Sequence, residues 1–187
     1  MFIGIGGGSA SGKSTIARDI AGRLEPLSVE VMCQDRFFLP REDLPKYPSR
    51  LREEPWPDYN RPETVDLGRM MAWCQGVDNA DVVILEGILA LYFPEARELM
   101  DLKLYVAADA DERIVRRIRR NLPRSPLADI TDYYLESVRY QHERYNAPTE
   151  RWADLVIPGG MYDEAERGLM LGCICAEVRR RVDGGTG

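Results

Sequence analysis

Apolar residues follow two alternating periods along the chain. Short runs rich in β-branched residues, Phe2–Ile5, Val29–Met32, Val82–Leu85, Leu102–Val106 and Leu155–Ile157, predict five strands. The stretches Ser14–Leu24, Glu63–Cys74, Asp111–Leu122, Asp132–Tyr145 and Glu164–Arg181 repeat apolar residues every three to four positions and predict helices. Strand and helix in alternation need crossover connections. The expected fold is therefore α/β: a five-stranded, mostly parallel sheet flanked by helices on both faces. Val82–Leu85 is continuously apolar, as a strand buried on both faces must be, and is expected beside the first strand. No repeat or low-complexity tract is present, Asp183–Gly187 reads as a frayed tail, and 1–187 reads as a single domain.

The segment from Asp35 to Asp66 breaks the pattern. It holds half of the 12 prolines together with Phe37, Phe38, Tyr47, Trp56 and Tyr59. A connection of this length in a compact domain is usually a binding loop, here expected over about residues 35–62.

Composition narrows the partners. The 187 residues carry a net charge of −6, so a general electrostatic grip on nucleic acid or anionic lipid is not expected, and any polyanion site must be local. Basic residues are three lysines (Lys13, Lys46, Lys103) and 22 arginines. Cys33, Cys74, Cys173 and Cys175 include no C-x-x-C pair, and Cys173 and Cys175 would face opposite sides of a helix. No apolar run is long enough to span a bilayer, and Met1 leads directly into strand-like residues. A reduced, cytoplasmic, soluble protein is expected, with a homo-oligomer left open.

The strongest local signal is Gly7-Gly8-Ser9-Ala10-Ser11-Gly12-Lys13-Ser14, which matches G-x-x-x-x-G-K-[ST] between the first strand and the first helix. Glycines at this spacing let successive N–H groups converge on phosphate oxygens, and the helix N-terminus adds partial positive charge. Lys13 would reach the terminal phosphates, and Ser14 would ligate Mg²⁺. None of the three lysines sits in an N-K-x-D element, which argues against a guanine-specific switch.

Ligands in such sheets bind beyond the carboxyl ends of the strands, so acids just past strands are the first catalytic candidates. Asp35 follows the second strand and Glu86 the third. Asp35 is the expected base for an acceptor hydroxyl, and Glu86 the expected partner of Mg²⁺; helix capping or a solvated loop is the alternative for either. On the predicted helix 111–122, Arg113, Arg116, Arg117 and Arg120 share one arc, opposite Ile114, Val115, Ile118 and Leu122. Pro123 ends the helix and Arg124 follows it. Such guanidinium forks suit a phosphate-covering lid, expected over about residues 116–130; a solvated face laced by Asp111 and Glu112 is the alternative. The single histidine, His142, reads as a surface or helix-packing residue.

Taken together, GGSASGKST at Gly7–Thr15, Gln34-Asp35 before paired aromatics, ADVVILEGILA at Ala80–Ala90, DADERIVRRIRR at Asp109–Arg120 and PTERWADLVIPGG at Pro148–Gly160 resemble the uridine kinase and phosphoribulokinase group of P-loop kinases. The resemblance implies a P-loop NTPase three-layer sandwich with a helical lid, and transfer of the γ-phosphate of ATP to a hydroxyl. It implies nucleotide contacts from Gly7 through Thr15, with Lys13 on the phosphates, and Mg²⁺ held by Ser14 and Glu86. Asp35 is implied as proton acceptor or hydroxyl ligand, Tyr92 as an aromatic beside a nucleoside, Arg120 and Arg124 as lid arginines, and Pro158-Gly159-Gly160 near the adenine. Arg116 joins the nucleotide set through the basic face, and Phe38, Tyr59 and Asn60 join the acceptor set.

One departure concerns the acceptor. Uridine kinases carry a β-hairpin ahead of the strand before Glu86, and here the interval Asp66–Ala80 is expected to be mostly one helix without it. Nicotinamide riboside kinases, which also lack it, carry a Tyr-Asp pair that aligns with Tyr59-Asn60, so the carboxylate has become an amide that cannot take a proton. The base role then rests on Asp35 unless Asp58 substitutes. A uridine- or cytidine-like nucleoside kinase is the leading expectation. A nicotinamide riboside or other small-metabolite kinase is the alternative, followed by a nucleotide-binding regulatory ATPase.

Overall fold

The computed structural model describes residues 1–160 and 163–184. Five parallel strands form one sheet: β1 Phe2–Gly7, β2 Val29–Cys33, β5 Val82–Glu86, β6 Leu102–Ala107 and β7 Leu155–Pro158, in the order β2-β5-β1-β6-β7. β5 lies beside β1, with Ile3 opposite Ile84, as its unbroken apolar run predicts. Both central strands are buried along their whole length.

Side chains alternate across β1, so Ile3 and Ile5 enter one core layer and Phe2 the other. The first layer packs the sheet against α1 (Lys13–Arg23) and α7 (Glu164–Gly184) through Ile16, Ile20, Leu171, Ile174 and Val178. The second packs it against α2 (Leu67–Gly76) and α3 (Pro94–Glu98) through Met70, Cys74 and Ala96. The three-layer sandwich follows. Cys175 is buried and Cys173 exposed, on opposite sides of α7 as their spacing requires.

Three expectations need correction and one, the helix after Asp66, is met. The proline-rich loop is not free of sheet: β3 (Lys46–Tyr47) pairs antiparallel with β4 (Trp56–Pro57), a hairpin of two-residue strands too short to leave a period in the sequence. The interval Asp66–Ala80 does hold one helix, α2, with Asp66 capping it by accepting from the Arg69 N–H at 2.9 Å. The helix expected over 132–145 begins earlier, as α5 (Leu127–Tyr133), and widens into π-helical turns at Tyr134–Val138 and His142–Asn146 around α6 (Arg139–Gln141). A tighter turn, Ala147–Trp152, then leads to β7. Finally, Asp183 and Gly184 are the end of α7, and 185–187 of the expected tail lie outside the described residues.

The arginine helix, α4, runs Ala110–Asn121. Arg113, Arg116 and Arg117 of its basic arc turn toward the protein while Arg120 is exposed, and on its apolar side Val115 and Leu122 are about half exposed. The expected lid region, 116–130, covers the second half of α4, the following turn and the start of α5. No helix among the described residues is long and apolar enough to cross a membrane.

Candidate active site

The loop after β1 wraps back on itself before α1. Gly12 precedes the helix at φ +109°, a conformation open to glycine and costly for other residues, and Ala10 holds φ +65°. Lys13 is buried, and its Nζ donates to the Gly8 carbonyl at 3.1 Å. Burial lowers its pKa, against the opposing pull of Glu86 and Asp35. Three buried polar atoms around this loop have no partner among the described residues: Ser11 Oγ, Arg113 Nη1 and Arg117 Nε. Buried donors left unpaired are expensive in a closed interior, so their convergence fits an anion held on this loop.

The two acids arrive from neighbouring strands. Cys33 at the end of β2 sits in register with Glu86 at the end of β5, and the short turn Gln34–Phe37 then presents Asp35. Glu86 is buried and accepts from Ser14 Oγ at 2.8 Å. Asp35 keeps an opening to water while protein atoms crowd its other sides. That crowding raises its pKa; Lys13 and Arg120 pull it down, and Glu86 pushes it up. The same setting pushes the Cys33 thiol up to about 12, through burial first and then Asp35 and Glu86. Lysine, hydroxyl and two carboxylates thus share one electrostatic neighbourhood at the carboxyl edge of the sheet, a setting suited to general-base and phosphoryl-transfer chemistry.

Beside this cluster lies a cavity of about 460 Å³, lined by Ala10–Ile16, Arg116, Arg120, Pro158 and Gly159, and on its far wall by Arg18, Arg167 and Met170. Gly159 touches the phosphate loop so closely that a Cβ there would stand 2.4 Å from the Ser11 carbonyl oxygen. Arg116 braces the same junction. Its guanidinium donates to the carbonyls of Ser11 at 3.3 Å and Gly159 at 2.9 Å and pairs with Glu112 at 2.9 Å. Arg117 Nη1 donates to Ser9 Oγ at 2.9 Å, and Arg113 Nε to the Ala108 carbonyl at 3.0 Å. Arg120 is exposed at the cavity mouth, in the field of Lys13 and Asp35.

On the acceptor side, the rings of Phe38 and Tyr59 meet at 6.3 Å. Asn60 is buried, and its Nδ2 donates to the Tyr133 hydroxyl at 2.8 Å. Asp58 is fully enclosed, accepting from Ser137 Oγ at 2.7 Å, Gln141 Nε2 at 2.8 Å and the Asn60 N–H at 3.0 Å, so it offers no carboxylate to the cleft. Tyr92 packs edge-on against Phe93 and Tyr145. Arg124 sits in the exposed turn after α4, its side chain unbonded to any described residue.

Several residues escaped sequence reasoning. Asn146, 3% exposed, donates through Nδ2 to the Gly7 carbonyl at 3.0 Å and to the Ile88 carbonyl, and accepts from the Tyr105 hydroxyl at 2.9 Å. Its partners lie far away in sequence, and an asparagine after a helical pattern reads as a cap. Arg18 had a faint signal: it follows Ser14 by one helical turn and donates to its carbonyl at 3.0 Å. Arg167 and Met170 on α7 had none. His142 packs inward beside Arg113 and Asn146, and burial pushes its pKa down to about 4.

The sheet order, the loop around a buried lysine and the cavity at the carboxyl edge define a P-loop kinase. The chain belongs to the Phosphoribulokinase / Uridine kinase family, whose model matches residues 49–166. It is a phosphotransferase. Over 198 residues it is 33% identical to the uridine kinase of Bacillus licheniformis, covering 91% of this chain and 92% of that one. Among solved structures, a putative fructose transport system kinase from Silicibacter matches with a TM-score of 0.61 at 18% identity, covering 84% of this chain and 89% of that one. A possible uridine kinase from Bacillus stearothermophilus matches with a TM-score of 0.57 at 16% identity, covering 84% and 88%.

Proposed function

We propose that this kinase transfers the γ-phosphoryl group of ATP to a hydroxyl of a small nucleoside-like acceptor, with Asp35 as the base. The observation that carries the reading is the meeting of Lys13, the Ser14–Glu86 pair and Asp35 at the ends of β1, β5 and β2. The likeness to uridine kinases supports a nucleoside acceptor. ATP fits the cavity beside the phosphate loop, with the base toward Pro158, Gly159 and α7.

Among the described residues no three His, Cys, Asp or Glu side chains gather into a metal cage. The Ser14–Glu86 oxygen pair beside the phosphate loop suits Mg²⁺, which keeps most of its waters and binds through one or two protein oxygens and the substrate's phosphates. Ser14 and Glu86 would hold it. When bound, it supplies positive charge against the phosphate oxygens. The chain's own groups do the rest. Lys13 and the loop N–H groups fix the triphosphate, Asp35 accepts the acceptor's proton as its oxygen bonds to the γ-phosphorus, and Arg120 offsets the charge that develops as ADP departs. The segment 35–62 then serves as the acceptor loop and 116–130 as the lid, within a single domain.

Coupled ADP release over uridine, cytidine, nicotinamide riboside and other small metabolites tests this. One acceptor should raise the rate well above that with water alone. If none does, a regulatory ATPase becomes the better account. The same panel separates a pyrimidine nucleoside kinase from a nicotinamide riboside kinase.

A further inference from the structure

The helical run from Leu127 to Asn146 touches both halves of the site. Asp129, Tyr133, Ser137 and Gln141 recur every four residues and Glu136 follows Tyr133 by three, so the five share one side of the run. All five hold the acceptor loop. Asp129 accepts from Arg52 at 2.5 Å, and Glu136 from Ser49 Oγ and the Arg50 N–H, both at 2.6 Å. Ser137 and Gln141 hold Asp58, as described above. Tyr133 alone reaches further. Its hydroxyl accepts the Tyr59 N–H at 2.9 Å and Asn60 Nδ2 at 2.8 Å, while its ring faces the Arg117 guanidinium at 5.4 Å, and Arg117 in turn bonds Ser9 of the phosphate loop.

We infer that Tyr133 is a positioning residue that sets the acceptor loop against the phosphate loop, through its hydroxyl on one side and its ring on the other. The inference rests on the proposed reading of those two loops. Asn60 carries no charge and cannot itself deprotonate an acceptor, so its contribution is placement. An amide whose Nδ2 is fixed on Tyr133 has its Oδ1 fixed as well. The ring does the equivalent for Arg117, whose Nε is buried without a partner among the described residues. Nucleotide binding that seats Arg117 and Ser9 therefore also seats Tyr59 and Asn60.

Tyr133→Phe removes the shared acceptor and keeps the ring; Tyr133→Leu removes both. In transfer assays with ATP, Mg²⁺ and the best acceptor from the panel, Tyr133→Phe should lower kcat/KM for the acceptor about thirtyfold, the worth of two ordinary hydrogen bonds. Its slow ATP hydrolysis without acceptor and its nucleotide affinity should stay at the wild-type level. Tyr133→Leu should lose hydrolysis as well. An unchanged acceptor kcat/KM in Tyr133→Phe overturns the inference. Equal losses in transfer, hydrolysis and nucleotide affinity overturn it too, by making the residue merely structural. Identical behaviour of the two variants removes the role of the ring.

Hydrogen exchange decides the matter even if no panel acceptor is phosphorylated, an outcome that sinks the functional reading instead. A non-hydrolysable ATP analogue should slow exchange at the Tyr59 and Asn60 amides of the wild type and leave those of Tyr133→Leu unaffected. Equal slowing in both refutes the link.

Discussion

Asn146→Ala is the sharpest test of how the site is built. The side chain is almost fully buried and serves three partners: the Gly7 carbonyl at the root of the phosphate loop, the Ile88 carbonyl after β5, and the Tyr105 hydroxyl on β6. Truncation strands all three. A buried polar group left unpaired costs about 1–3 kcal/mol, so the sum is about 3–6 kcal/mol once water fills part of the space. For a chain of this size each kcal/mol moves Tm by about 2–4 °C, which predicts a fall of roughly 6–24 °C. Thermal melting without nucleotide reads this directly, and urea unfolding with an unchanged slope confirms that the native state is the one affected. Asn146→Asp preserves size but sets a carboxylate against two carbonyl oxygens, so it should melt lower still at pH 7. A fall under about 3 °C in the alanine variant would mean that water or neighbours replace the lost bonds and that Asn146 does not clamp the loop.

Asp35→Asn should lower kcat by about 10²–10⁴ with nucleotide affinity retained, read by steady-state rates beside equilibrium titration; matching losses of both would make Asp35 a structural residue. Because crowding raises the Asp35 pKa, the acid limb of kcat/KM should lie above the ordinary carboxylate range, activity falling as pH drops through it; a limb at the ordinary value refutes this. His142 is held down to about 4, so the unfolded chain binds a proton that the folded one refuses, and stability should decline as pH falls from about 6.5 toward 4. His142→Gln should flatten that decline in melts across the same window. Gly159→Ala would set a Cβ within 2.4 Å of the Ser11 carbonyl and 2.8 Å of the Ala107 carbonyl, so nucleotide titration should show at least about tenfold weaker binding.

The strands were legible because buried parallel strands are apolar along their length and the crossover helices between them are amphipathic. Lys13, Ser14, Asp35 and Glu86 were legible for a related reason: their places are set by spacing to an adjacent strand end. Legibility failed where contacts are distant in sequence. Asn146 meets Gly7 from 139 residues away, and no local pattern marks that pairing. On α4, periodicity located both faces, but which one turns inward depends on partners. There the carbonyls of Ser11, Ala108 and Gly159 and the Ser9 hydroxyl draw three arginines toward the loop and leave Val115 and Leu122 in solvent. The π-helical turns were invisible too, since widening a turn changes no residue type.

A rod that grips one loop along its side and another at its tip also counts residues. One insertion between Tyr133 and Asn146 would turn the tip about the helix axis and shift it along that axis, parting it from Gly7. Across relatives this stretch should therefore drift in residue identity while its length stays put. The exposed Glu53–Pro55 turn is under no such arithmetic and can lengthen or shorten freely.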